Sequence, residues 1–144
     1  MTAFVLDASV TAAWLLPDVA SEHTRRLYTL IRRDEVEPQA PNIWQWECAN
    51  ILANGVRHGR IPPAAAEGLW GVLEAIRHRV ELHELAPAQH KASFGVAIDA
   101  GLGAHDAAYL WLARSLKLPL ATFDPQLIQA APACGVKLLD ISTL

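Results

Sequence analysis

An α/β fold with a parallel sheet is what this 144-residue chain predicts, on three observations. Short apolar segments rich in β-formers alternate with longer segments whose apolar residues recur at helical spacing, the order expected of repeated strand–helix units. Two of the apolar segments run straight into an Asp and then into a helix opening, at Phe4-Val5-Leu6-Asp7 and Leu120-Ala121-Thr122-Phe123-Asp124. A hydrophobic fraction of 52%, with 19% charged residues and no low-complexity tract, calls for one buried core, so residues 1–144 are read as a single domain without a linker.

After the first strand, Val10 to Leu16 is read as a short helix ended by Pro17. Ser21 to Arg33 is a second helix, with Leu27, Leu30 and Ile31 on one face and Arg25, Arg26, Arg32 and Arg33 on a solvated one. Val36 to Ala40 is the second strand. Pro41-Asn42 then opens a long helix that Gly59 stops, with Trp44, Cys48, Ile51, Leu52 and Val56 as its apolar stripe. Glu47 lies beside that stripe, and no basic residue three or four positions away can pair with it. Pro62-Pro63 starts a helix with Leu69, Val72, Leu73 and Ile76 inward, and Val80 to Leu85 alternates as a third strand. Helices over Pro87 to Gly101 and His105 to Leu116 meet at the Gly101-Leu102-Gly103 turn, which places Asp106 in a first helical turn. Leu118 to Thr122 is the fourth strand and Gly135 to Ile141 the last. Trp44, Trp46 and Trp111 are assigned to the core.

Several classes are set aside. The apolar runs are broken well before the roughly 20 residues a bilayer span needs. No basic stretch followed by an apolar run precedes the acid at position 7, so no secretory signal is read and the cytoplasm is the expected location. Cys48 and Cys134 offer neither a disulfide framework nor a zinc pattern. The six histidines, at 23, 58, 78, 83, 90 and 105, show no HExxH or other paired ligand spacing. A net charge of −3 argues against a basic nucleic-acid surface, but only if the acids are spread evenly. Should Asp7, Glu47, Asp106 and Asp124 share one metal site, the remaining acids nearly balance the 12 Lys and Arg.

Each of these acids has an ordinary reading as well. Asp7 or Ser9 is a candidate cap for the helix that follows, Asp124 before Pro125 is a common helix opening, and Asp106 complements a helix dipole. The topology adds what those readings lack. In a right-handed parallel βα fold, Asp7 and Asp124 stand at the same edge of the sheet, which the starts of the next helices face. Carboxylates gathered there repel one another unless protonated or bridged by cations, and an all-oxygen donor set suits Mg²⁺ or Mn²⁺.

The segments VLDASV, WECANIL, AHDAAYLWLA and ATFDPQL, in this order and spacing, resemble PIN-domain ribonucleases of the VapC toxin type over essentially the whole chain. The resemblance implies a three-layer α/β/α fold with a central parallel sheet of about five strands. It places the family's acidic metal site on Asp7, Glu47, Asp106 and Asp124, with Ser9 as a supporting hydroxyl and Asn50 as the helix Asn. It further implies an RNA substrate, Mg²⁺ or Mn²⁺ as cofactor, a homodimer, and a cognate antitoxin through which the protein meets DNA. Two positions depart from the pattern: Gly103 stands where Ser or Thr is common, and His105 where an aromatic is common. Gly remains an acceptable cap, and His105 adds a titratable group or substrate contact beside the third acid. The implied reaction is metal-assisted phosphodiester hydrolysis, which needs no protein nucleophile. Two rival readings stand beside it. An aspartyl-phosphate hydrolase of the haloacid dehalogenase type also begins with a strand ending in Asp, but its second acid would fall where Ser9 stands. A binding module that keeps the fold without turnover is the other.

Overall fold

The computed structural model describes residues 1–144, in which four parallel strands form one sheet. These are β1 (Thr2–Leu6), β2 (Val36–Pro41), β3 (Glu81–His83) and β4 (Leu120–Ala121), in the order β3-β2-β1-β4. The register sets Val5 between Gln39 of β2 and Leu120 of β4, so β1 is an inner strand. Phe4, Val5 and Leu6 have no exposed surface. Strands covered on both faces read as continuous apolar runs rather than alternating ones, which is the pattern of this segment. Burying each such side chain contributes about 1.5 to 3 kcal/mol.

Seven helices surround the sheet: α1 (Ala8–Leu15), α2 (Glu22–Arg32), α3 (Ile43–Arg57), α4 (Ala66–Arg77), α5 (Pro87–Ala100), α6 (Ala104–Leu116) and α7 (Pro125–Ala130). α1 to α4 pack among themselves, with α2 and α3 against β2; α5 packs on α6, which lies across β1, β2 and β4. The result is a three-layer α/β/α arrangement. Its helix ends follow local chemistry. Ser21 and Thr24 form a reciprocal capping box at the start of α2, and Gly101, at φ 66°, closes α5 in the left-handed conformation that glycine adopts without penalty. No helix is long and apolar enough to cross a membrane.

Three expectations need correction. The strand expected over Gly135 to Ile141 is reduced to a single bridge, Leu138 beside Leu120, so the sheet has four strands rather than five. Gly135 sits at φ 73° and Asp140 caps a 3₁₀ turn over Ile141–Thr143, which leaves too little extended chain between them for a ladder. The first helix begins at Ala8 rather than Val10, directly after Asp7. Trp46 is 69% exposed and is not a core residue, whereas Trp44 is fully buried.

Candidate active site

The end of β1 delivers Asp7 into a cleft of about 520 Å³ on the strand-end edge of the sheet. Asp7 is only 4% exposed, with its backbone N–H donating to Ala121 O at 3.0 Å across the β1–β4 pair. It occupies the cap position of α1 but makes no side-chain cap hydrogen bond. Instead its Oδ2 accepts from Ser9 Oγ at 2.5 Å and from Thr122 Oγ1 at 2.7 Å. Those two hydroxyls are themselves held, since Ser9 Oγ accepts from Phe123 N at 2.9 Å and Thr122 Oγ1 from Asp124 N at 3.0 Å. The side-chain hydroxyl protons of this network therefore run toward Oδ2.

The other acids reach the same cleft from three further elements. Glu47 enters from the middle of α3, where its Oε1 accepts from Tyr109 Oη at 2.6 Å; Tyr109 is fully buried on α6. Asp106 lies one turn before Tyr109 in the first turn of α6, behind the Gly103 cap. Asp124 follows β4 and does cap α7, its Oδ1 accepting from Gln126 N at 2.9 Å, so the capping reading and the cleft position hold together there. Ser9 and Asn50 line the cleft with the four acids, and His105 and Trp46 stand at its walls.

The electrostatics reflect this crowding. Burial raises the Asp7 carboxyl above the ordinary Asp value, the Ser9 and Thr122 hydrogen bonds pull it back, and the Asp124 charge raises it again. Glu47 is raised by burial, lowered by the Tyr109 hydroxyl, and raised by the charges of Asp7 and Asp106. Asp106 is raised by burial and then by Asp124 and Asp7, with His105 opposing. No Lys or Arg lines the cleft to balance these charges. A hard divalent cation would supply that balance, and the donors are all oxygen, so the residues present fit Mg²⁺ or Mn²⁺. No three acids close on one point by themselves. Mg²⁺ commonly keeps several waters and takes one or two carboxylates together with substrate phosphate, so an open set of this kind suits it.

Two further participants, Thr122 and Tyr109, are not marked as site residues by the sequence. Both sit inside the quoted segments, Thr122 two residues before Asp124 at the strand end and Tyr109 three after Asp106 on the same helical face, and those spacings were the available signal.

No family model matches the chain. Ribonuclease VapC3 of Pyrobaculum aerophilum is 31% identical over 133 residues, covering 90% of this chain and 95% of that protein. The crystal structure of PAE2754 from Pyrobaculum aerophilum superposes with a TM-score of 0.70 at 24% identity, over 99% of this chain and 85% of that one. The VapBC2 structure from Rickettsia felis, bound to a DNA fragment from their promoter, gives a TM-score of 0.64 at 14% identity, over 96% and 98% of the two chains. At such identities the two structures speak for the fold alone. The match to VapC3 goes further: it runs nearly end to end in both proteins, and by it the chain belongs to the VapC family of PIN-domain ribonucleases.

Proposed function

We propose that this chain is a Mg²⁺- or Mn²⁺-dependent endoribonuclease that hydrolyses RNA phosphodiester bonds, and the toxin of a toxin–antitoxin pair. The observation that carries the reading is the meeting of Asp7, Glu47, Asp106 and Asp124 on one cleft without a Lys or Arg among its walls. A divalent cation bound in this cleft through one or two of the carboxylates and water would supply water activation and neutralisation of phosphate charge. The chain's own part is positioning. Ser9 and Thr122 fix Asp7 through Oδ2, Tyr109 orients Glu47, and the Gln126 N–H holds Asp124 by Oδ1. Hydrogen bonds of this kind hold ligands in place before anything binds. Asn50, the helix Asn beside the acids, supports the metal site, and His105 at the wall is the candidate substrate contact.

VapBC2 of Rickettsia felis, which shares this fold and is bound to a DNA fragment from their promoter, supports an antitoxin as partner and DNA contact through it; the homodimer rests on the family resemblance alone. The cytoplasm is the location that fits such a pair. Purified protein should cut single-stranded RNA with Mg²⁺ or Mn²⁺ and stop with EDTA; undiminished cutting by metal-stripped protein would overturn the mechanism. Coexpression with the product of the adjacent gene should give a stable complex with suppressed cleavage, and a neighbour that neither copurifies nor inhibits would remove the toxin assignment.

A further inference from the structure

The acidic cleft shares two of its walls, Ile43 and His105, with a second concavity of about 330 Å³. Three of the chain's six histidines meet in this pocket: His83 from β3, His90 from α5 and His105 from α6. They come from three elements and share no sequence spacing, so only the fold assembles them. Their rings do not converge as a metal site. His83 is pinned, its Nε2 donating to Gln39 Oε1 at 2.7 Å. Ser93 also lines the pocket and is 3% exposed.

The chemistry of the walls selects the ligand. No Lys or Arg is present, so the pocket is poorly suited to a phosphate. Apolar surface from Leu85 and Ala108 beside three imidazoles and a few hydrogen-bonding groups makes a lining suited to a heteroaromatic ring. Proteins that read single-stranded RNA stack unpaired bases on aromatic side chains, His among them, and bond their edges. The volume accommodates one nucleoside rather than a base pair. We propose that this histidine-lined pocket receives the base of a nucleotide flanking the scissile phosphate, so that the enzyme takes RNA whose base there is turned out of its stack. The proposal rests on the ribonuclease reading of the adjoining cleft.

The test measures binding of a fluorescent single-stranded RNA in EDTA, where it is not cut, beside the same RNA with an abasic residue at each position in turn. His90 is exposed on a helix and Ser93 is small, so His90→Ala and Ser93→Ala keep the fold; His58→Ala, outside both pockets, is the control. Stacking of one base on an aromatic side chain predicts a Kd raised about five- to hundredfold by His90→Ala. One abasic RNA should bind wild type as weakly as intact RNA binds His90→Ala, and should lose nothing further with that variant. Unchanged Kd for both His90→Ala and Ser93→Ala, while wild type cuts RNA with Mg²⁺, overturns the pocket and leaves the nuclease standing. Wild type that neither binds nor cuts RNA overturns both. Variants that bind RNA normally but release a copurified antitoxin assign the pocket to a peptide and overturn the proposal.

Discussion

Replacing Tyr109 with Phe removes one oxygen from the fold and nothing else. The ring is fully buried, so its packing persists and the helix stays in place. What disappears is the hydroxyl that donates to Glu47 Oε1 at 2.6 Å. A hydrogen bond to an ionised partner is worth about 1.5 to 3 kcal/mol. Glu47 faces the cleft, so water replaces part of that interaction and the lower end applies, about 1.5 to 2 kcal/mol. At about 1.4 kcal/mol per tenfold, kcat/KM at limiting Mg²⁺ should fall roughly 10- to 30-fold. That agrees with the loss of about 10- to 100-fold expected when a ligand's supporting partner is removed. The assay is the initial rate of RNA cleavage across a Mg²⁺ titration, with circular dichroism to confirm folding. The same substitution is then made in a Glu47→Gln background, where it should cost far less, because the two residues act as one unit. Full activity in Tyr109→Phe would refute the reasoning, and so would an undiminished loss in the Glu47→Gln background.

Asp106 and Asp99 stand seven positions apart but face different surfaces: Asp106 lines the acidic cleft, while Asp99 lines a groove of about 690 Å³ with Arg114. Asp106→Asn should lower cleavage by about 10²- to 10³-fold with the fold intact, and Asp99→Asn should cost little; initial rates of both purified variants check this, and the reverse pattern would sink the assignment of Asp106. Metal-free protein should also be more stable just above the ordinary carboxylate range than at neutral pH. Asp7, Glu47 and Asp106 are all held above their ordinary values, so above that range the folded state keeps more protons than the unfolded one, and stability falls as pH rises toward neutral. Asp18 and Asp140 are held low, but their contribution is already complete above the ordinary Asp range and does not change in this window. Saturating Mg²⁺ should reverse the trend by favouring the ionised acids. Thermal melts at both pH values, with EDTA and with Mg²⁺, decide it; a metal-free Tm that climbs toward neutral pH would contradict the assignment.

The sheet and two of the four acids were legible because their signals are local. An apolar run followed by Asp marks a strand end at Asp7 and Asp124 wherever the rest of the chain goes, and parallel topology then brings the ends together. Glu47 was different. Its place beside the apolar stripe and the lack of a local basic partner set it apart only weakly from a solvated acid, and the family resemblance singled it out. Thr122 and Tyr109 escaped because their roles are tertiary, made by hydrogen bonds to residues 115 and 62 positions away. Trp46 was misplaced by composition. It lies about 200° around the helix from Trp44, so the face that buries one exposes the other. The last strand failed because strand content depends on the edge available, and β4 offers only two residues to pair with.

The clamp on Asp7 also bears on how the molecule is made. Asp7 is synthesised early, yet the Thr122 hydroxyl that holds it lies 115 residues further along, on the strand that must pair beside it. A ribosome-bound chain that has reached the α5–α6 turn carries Asp7 and Glu47 but neither Asp106, Thr122 nor Asp124. Synthesis therefore works as a delay. The acidic cleft is completed only by the final stretch of the chain, and a prematurely ended product lacks half of its acids and one of the two hydroxyls that set the first of them.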